Sequence, residues 1–140
     1  RLASGDAKIS VREVRVAMVA DLGSLQRLPR IVGQGVTREL AYTGKDIDAA
    51  RALRVGLVND VLPDKASLLE SARAMARQIA DNSPLVVSGI KEVLDFGERS
   101  HVRDRERFVA VWNAAFLASN DLAEAMAAFM ERRAPVFKGD

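Results

Sequence analysis

The sequence predicts an α/β chain in which short strands come first and helices fill the remainder. Three observations predict it. Alternating apolar residues occur only before Pro63, at Ile9, Val11, Val14 and Val16 and again over 57–62. After Asp64 the apolar residues recur three and four positions apart, which is a helical face. Asp, Ser and Gly stand where helices should start and stop.

Taken in order, residues 1–10 read as the middle of a domain that leads into a strand, and 7–16 hold one short strand or two. Gly23 breaks that run, and Ser24 caps a short helix through Leu28, before Pro29. Residues 33–35, Gly-Gln-Gly, form a turn, and 36–42 a short helix ended by Gly44. Asp46 caps the next helix, with Ile47, Ala50 and Leu53 at helical spacing and Gly56 as its stop. Residues 57–62 are a strand that Pro63 ends.

The helical part begins at 64–67 and first runs to about Ala80, with a stripe of Leu68, Leu69, Ala72, Met75, Ala76 and Ile79. Ser83 as N-cap and Pro84 at the first helical position open a helix over 85–96. After Gly97 a charged helix covers about 102–118 and lines up Phe108, Trp112 and Phe116, a stripe that reads as core within the chain ahead of a subunit contact. Residues 119–121 are a hinge and cap for a last helix over 122–132, before Pro135.

Composition narrows the function classes. With 140 residues the chain can bury a usable core. Hydrophobic residues at 49%, charged residues at 29% and a net charge of +2 give an ordinary globular balance and no argument for nucleic acid. Zinc–thiolate and disulfide chemistry are excluded because there is no cysteine. A single histidine, His101, excludes a multi-histidine metal site and argues against a Ser-His-Asp triad; it is expected to face solvent. No apolar run approaches the ~20 residues of a membrane span.

The chemistry-bearing segment is 13–21, Glu-Val-Arg-Val-Ala-Met-Val-Ala-Asp. It sets two carboxylates eight positions apart, with Arg15 the one polar residue between them. Carboxyl groups in an apolar pocket lose hydration, so their affinity for protons rises toward the range that general acid–base catalysis uses. The same spacing also suits the solvated ends of a strand or helix, and Asp21 could equally cap the helix at Ser24. Arg15 reads as a surface charge, and Arg27 as a structural ion-pair residue.

Further blocks stand at characteristic spacing: 22–30 (Leu-Gly-Ser-Leu-Gln-Arg-Leu-Pro-Arg), 41–53 (beginning Ala-Tyr-Thr-Gly-Lys-Asp), 56–61 (Gly-Leu-Val-Asn-Asp-Val) and 127–138 (beginning Ala-Ala-Phe-Met-Glu-Arg-Arg). With the acid pair they resemble the C-terminal part of the crotonase (enoyl-CoA hydratase/isomerase) superfamily along essentially the whole chain. The resemblance implies the C-terminal part of a ClpP-like spiral of βα-type turns. Residues 1–62 would be the last part of the spiral core, and 63–140 a C-terminal helical oligomerisation region of a homotrimer or dimer of trimers. It also implies that the chain is a C-terminal fragment.

In this family two backbone N–H groups polarise an acyl-CoA thioester while side chains move protons on the acyl chain. The segments that supply those N–H groups would lie upstream of Arg1, so the fragment alone is expected to be inactive. Glu13 matches the second acid of the 2-enoyl-CoA hydratases. Residues 16–23 depart from their Gly-x-x-Pro-Gly-x-Gly-Gly stretch by placing Asp21 where hydratases have glycine. That departure resembles the Δ3,5-Δ2,4-dienoyl-CoA isomerase branch, as does Leu-Gln-Arg-Leu-Pro at 25–29.

The implied reaction belongs to fatty-acid β-oxidation. It moves a proton between distant carbons, with Glu13 near C2 and Asp21 near C6. A third acid of the branch would lie before Arg1. The alternatives are a 2-enoyl-CoA hydratase and, from another class, a non-catalytic oligomerising module. Arg132 in the basic tail matches a position that can contact CoA phosphates of an adjacent subunit, against the plain reading of a cation at a helix end. No cofactor beyond the coenzyme A thioester substrate is expected, nor a metal. A bacterial cytoplasm, or an unknown compartment, is the expected location, and the absent cysteine fits a reducing one.

Overall fold

A computed structural model describes residues 1–98 and 100–140, which divide into two compact units, Arg1–Arg73 and Ala74–Asp140. The first unit holds all the strands among the described residues. β1 (Leu2–Ser4) pairs in parallel with β4 (Asp60–Leu62), with Ala3 opposite Val61. β2 (Lys8–Ile9) pairs antiparallel with β3 (Ile47–Asp48). Two helices complete this part, α1 (Ser24–Thr43) and α2 (Ala49–Arg54). Their shared core is Ala3, Leu40, Ile47, Ala49, Ala52 and Val58, with Ile9, Val11, Val36 and Val61 packed around it. Small residues dominate this core, so strand and helix backbones approach closely and their polar groups are met by the short ladders.

α3 (Lys65–Ala80) starts where expected, since Asp64 Oδ1 accepts the Ser67 N–H at 2.8 Å. The second unit carries α4 (Pro84–Gly97), α5 (Val102–Phe116) and α6 (Asn120–Glu131). Ser83 caps α4 by accepting the Val86 N–H at 3.3 Å, and Ser119 caps α6 by accepting the Leu122 N–H at 3.2 Å. The aromatic stripe is intrachain packing. Phe96 stacks on Phe108 at 4.5 Å, and Trp112 meets Phe108 at 6.1 Å and Phe116 at 4.7 Å. His101 is exposed at the N-cap of α5 and makes no side-chain cap bond.

Four local expectations are corrected. Residues 13–16 form a 3-10 turn, not a strand: Arg15 N–H donates to the Arg12 carbonyl at 2.9 Å and Met18 N–H to the Glu13 carbonyl at 3.0 Å. With its backbone bonded locally and Ala17 in the left-handed region at φ +58°, the segment has no ladder to join. The turn expected at 33–35 is instead a kink inside α1, where Gly33 takes φ +77°. Pro29 cannot donate within that helix, and Thr37 Oγ1 donates at 2.8 Å to the Gly33 carbonyl that the kink loosens. Ser24 does not cap α1, whose N-cap is Gly23 at φ +90°. Asp48, not Asp46, caps α2, accepting the Arg51 N–H at 2.7 Å; Ile47 is buried in β3 and Asp46 is engaged elsewhere.

Candidate active site

Glu13 opens the 3-10 turn and is half-buried, while Asp21 lies exposed just before the Gly23 entry to α1. Apart from Arg15 the segment between them is apolar, and apart from buried Ala20 it is turned outward: Val16 is 66% exposed, Val19 76% and, immediately after Asp21, Leu22 85%. Isolated exposed apolar residues are ordinary, but a contiguous run of them marks a contact surface.

A pocket of about 280 Å³ adjoins this segment. Ile9, Ser10 and Val11, just before Glu13, line it, as do Leu22, Gly23 and Ser24, just after Asp21. Leu28, Ile31, Leu40 and Leu57 complete a largely apolar wall. Neither acid lines it; both stand on the chain segments that border it. Arg27, expected in an ion pair, lines this pocket, and no carboxylate pairs with it among the described residues.

The turn that carries Glu13 is tied to the connection between α1 and β3. Arg12 Nη2 donates to both carboxylate oxygens of Asp46 at 2.6 Å, and Arg12 Nε to Ser10 Oγ at 3.1 Å. The Asp46 carboxyl is held below its ordinary range, first by the Arg12 hydrogen bond and in smaller part by hydrogen bonding from Ser10 and the charges of Arg12 and Arg15. Alongside, Glu39 pairs with Lys45 at 2.5 Å and Arg51 at 3.4 Å, and its carboxyl is likewise lowered, chiefly by Lys45. Arg12, Asp46 and Gly44 escaped the sequence reading as site residues because 34 positions separate the ion pair, and Gly44 and Asp46 read locally as a helix stop and a helix cap.

Within the second unit a larger cavity, about 430 Å³, lies among α4, α5 and α6, with Val86, Ile90, Trp112, Phe116 and Phe137 in its wall. Its one acid, Asp121, is buried and already accepts hydrogen bonds from Ser83 Oγ at 2.5 Å and from the Lys138 and Gly139 N–H groups at 2.8 and 3.2 Å. Those bonds hold its carboxyl low, Ser83 foremost, so it is a structural anchor for the chain end.

Of the basic tail, Arg133 is committed to Glu124 at 2.5 Å and Glu131 at 2.6 Å. Arg132 is exposed, in the left-handed cap of α6 at φ +56°, and carries no side-chain ion pair among the described residues. Among those residues no cluster of three His, Asp or Glu side chains is arranged to hold a metal ion, and no helix is long and apolar enough to cross a membrane.

The chain is similar to known proteins in sequence and fold. The family model described as enoyl-CoA hydratase/isomerase matches residues 1–140. A mitochondrial Δ3,5-Δ2,4-dienoyl-CoA isomerase of Dictyostelium discoideum is 51% identical over 138 residues, covering 99% of this chain and 47% of that protein. A peroxisomal protein of the same name from Arabidopsis thaliana is 43% identical over 137 residues, covering 98% of this chain and 49% of its own length. Among solved structures, an enoyl-CoA hydratase from Bacillus anthracis superposes with a TM-score of 0.95 at 34% identity, covering 100% of this chain and 54% of the other.

The chain thus spans about half the length of the relatives it matches. The expected cytoplasmic location is overturned, because these isomerases are named as mitochondrial or peroxisomal. The physical reason for the error is that organelle addresses are separate receptor-read signals, which cysteine content and the folded body do not encode.

Proposed function

The chain belongs to the enoyl-CoA hydratase/isomerase family, and on that premise we propose that the whole protein isomerises a 3,5-dienoyl-CoA to its 2,4-isomer in fatty-acid β-oxidation. The observation that carries this reading is the outward apolar run ending in Glu13 and Asp21, beside an apolar pocket, in a chain 51% identical to a protein named for that reaction.

The reaction needs two proton sites. C2 loses a proton, the two double bonds each shift one position, and C6 gains a proton. One carboxylate cannot serve both ends of a five-carbon reach without moving the acyl chain. Glu13 takes the C2 proton, and Asp21 gives one at C6. The acyl chain lies along Val16, Met18 and Val19, which are 66%, 54% and 76% exposed and supply an apolar track between the acids. Negative charge that develops on the thioester oxygen between the two steps is met by backbone N–H groups outside residues 1–140.

Residues 1–62 form the last part of the catalytic spiral and 63–140 its C-terminal helical region, in a homotrimer or dimer of trimers. The apolar residues left exposed on α6, Phe129 and Met130 at 78% each, support such an assembly. Arg132, exposed and unpaired among the described residues, is available to CoA phosphate through its planar guanidinium. Arg132→Ala is expected to raise KM for the CoA ester several-fold with kcat unchanged.

The deciding test is Glu13→Gln and Asp21→Asn in the whole protein, assayed on 3,5-dienoyl-CoA and 2-enoyl-CoA. Each substitution should lower isomerase kcat by about 100-fold or more. The second reading, a 2-enoyl-CoA hydratase, is favoured by a 37% identical (E)-benzylidenesuccinyl-CoA hydratase of Thauera aromatica. It requires that Glu13→Gln abolish hydration while Asp21→Asn changes neither rate.

A further inference from the structure

Glu13 rides on a turn too short to hold its own position. A four-residue 3-10 turn closes few bonds of poor geometry, and none of its residues is buried. Two contacts from outside the turn fix it. Both oxygens of Asp46 accept Arg12 Nη2 at 2.6 Å, immediately before Glu13. Gly44, two residues before Asp46, lets the backbone pass directly under the turn. A Cβ there would stand 2.9 Å from both Val14 Cγ1 and Arg15 Cγ, on a residue whose φ is +56°.

Residues three apart eclipse in a 3-10 turn, so Arg12 and Arg15 share one face. Asp46 feels the charge of both. Glu13 therefore occupies a different face, set by how the arginine face is held.

We propose that Arg12, Asp46 and Gly44 are positioning residues for the Glu13 carboxylate, which rests on the reading that Glu13 takes the substrate proton. The pair is 58% and 42% exposed, so its contribution to stability is small. With Nη2 held between both Asp46 oxygens and Nε on Ser10 Oγ, the guanidinium is nevertheless fixed in direction from two sides. A reacting group displaced by about 1 Å loses on the order of 100-fold in rate. The signature of positioning is thus a rate loss out of proportion to any loss of stability.

The test uses the whole protein and the 3,5-dienoyl-CoA assay, with Glu13→Gln as reference. Arg12→Met and Asp46→Asn should each lower kcat by about 10- to 100-fold while KM stays within about twofold. Their melting temperatures should fall by less than about 3 °C. The double variant should be no slower than the worse single, since both remove one contact. The exchange Arg12→Asp with Asp46→Arg should recover rate over either of its single members. Gly44→Ala should show the same kcat loss, with a larger fall in melting temperature from its strained φ.

Full kcat in Arg12→Met beside an inactive Glu13→Gln overturns the positioning role and leaves the catalytic reading standing. A rate loss that tracks melting temperature across the set overturns it as well. Unchanged kcat in Glu13→Gln overturns the catalytic reading, and the positioning role with it.

Discussion

Ser83 is one residue with two duties, and they can be separated. Its hydroxyl oxygen accepts the Val86 N–H at the start of α4, while its proton goes to buried Asp121 at 2.5 Å. Asp121 in turn accepts the N–H groups of Lys138 and Gly139, and Glu124 accepts that of Val136 at 2.9 Å. The chain end is thereby strapped to α4 and α6 by two carboxylates. Ser83→Ala removes a cap worth about 0.5–2 kcal/mol and leaves Asp121 one donor short. Urea unfolding should show a loss at or above the top of that range; a loss confined to the bottom would mean that Asp121 finds another donor.

Acid should release the same strap. Glu124 is lowered from 4.5 to about 2, first by its Arg133 hydrogen bond and then by the Val136 N–H, and Asp121 is lowered from 3.8 chiefly by Ser83. A group lowered in the folded state stabilises it above its unfolded value and loses that contribution as pH falls through its folded value. Hydrogen-exchange protection of the Val136 amide should therefore be full above pH 4.5 and fall as pH passes down through about 2, and that of the Lys138 and Gly139 amides should be full above pH 3.8 and weaken at some lower pH, once Asp121 takes up its proton. Val136 protection that is unchanged well below pH 2 would show that packing, not the carboxylate, holds that part of the tail.

At the scale of elements, two helical glycines carry opposite expectations. A Cβ on Gly89 of α4 would overlap the Trp112 indole of α5, with Cε2 at 2.8 Å. Helix propensity favours alanine by about 1 kcal/mol, but overpacking against a ring costs about 1–3 kcal/mol. Gly89→Ala should therefore destabilise. Gly35 of α1 has nothing within 4 Å of a built Cβ and an ordinary φ, so Gly35→Ala should stabilise by about 0.5–1 kcal/mol. Thermal melts of the pair check both signs, and two changes of the same sign would refute the packing argument.

The same elements show how far the sequence could be read. α4 was legible to within a residue because Ser83 and Pro84 signal locally. The ladder of Phe108, Trp112 and Phe116 was legible from spacing alone. The kink at Gly33 was not, because Pro29 reads locally as a stop and Gly33 as a turn, whereas helix resumes beyond both. Valines at 14 and 16 suggested a strand, but strand propensity needs a neighbouring ladder and there the backbone closes on itself. In the candidate site, spacing alone left the two acids open between catalysis and solvated ends, and the family resemblance singled them out as candidates. The Arg12–Asp46 tie was not, since 34 positions separate its members and no local pattern couples them.

For the molecule as a whole, the informative quantity is apolar surface that neither unit covers. In the first unit Val16, Val19 and Leu22 are 66%, 76% and 85% exposed within seven positions; in the second, Phe129 and Met130 are each 78% exposed side by side. Burying one such side chain is worth about 1.5–3 kcal/mol, so water contact along these patches favours any partner able to cover them. A net charge of only +2 opposes association weakly. Residues 1–140 produced alone should therefore bind a hydrophobic dye and self-associate at micromolar concentration. Substituting serine for Val19, Leu22 and Phe129 should reduce both effects with little change in helical circular dichroism, since exposed positions tolerate polar replacement. On the proposed assembly, in which the rest of the protein and neighbouring subunits cover those faces, the whole protein should bind little dye. Dye binding by the whole protein equal to that of the isolated chain would mean that the patches stay bare there, and would count against both the proposed assembly and the proposed acyl track between Glu13 and Asp21.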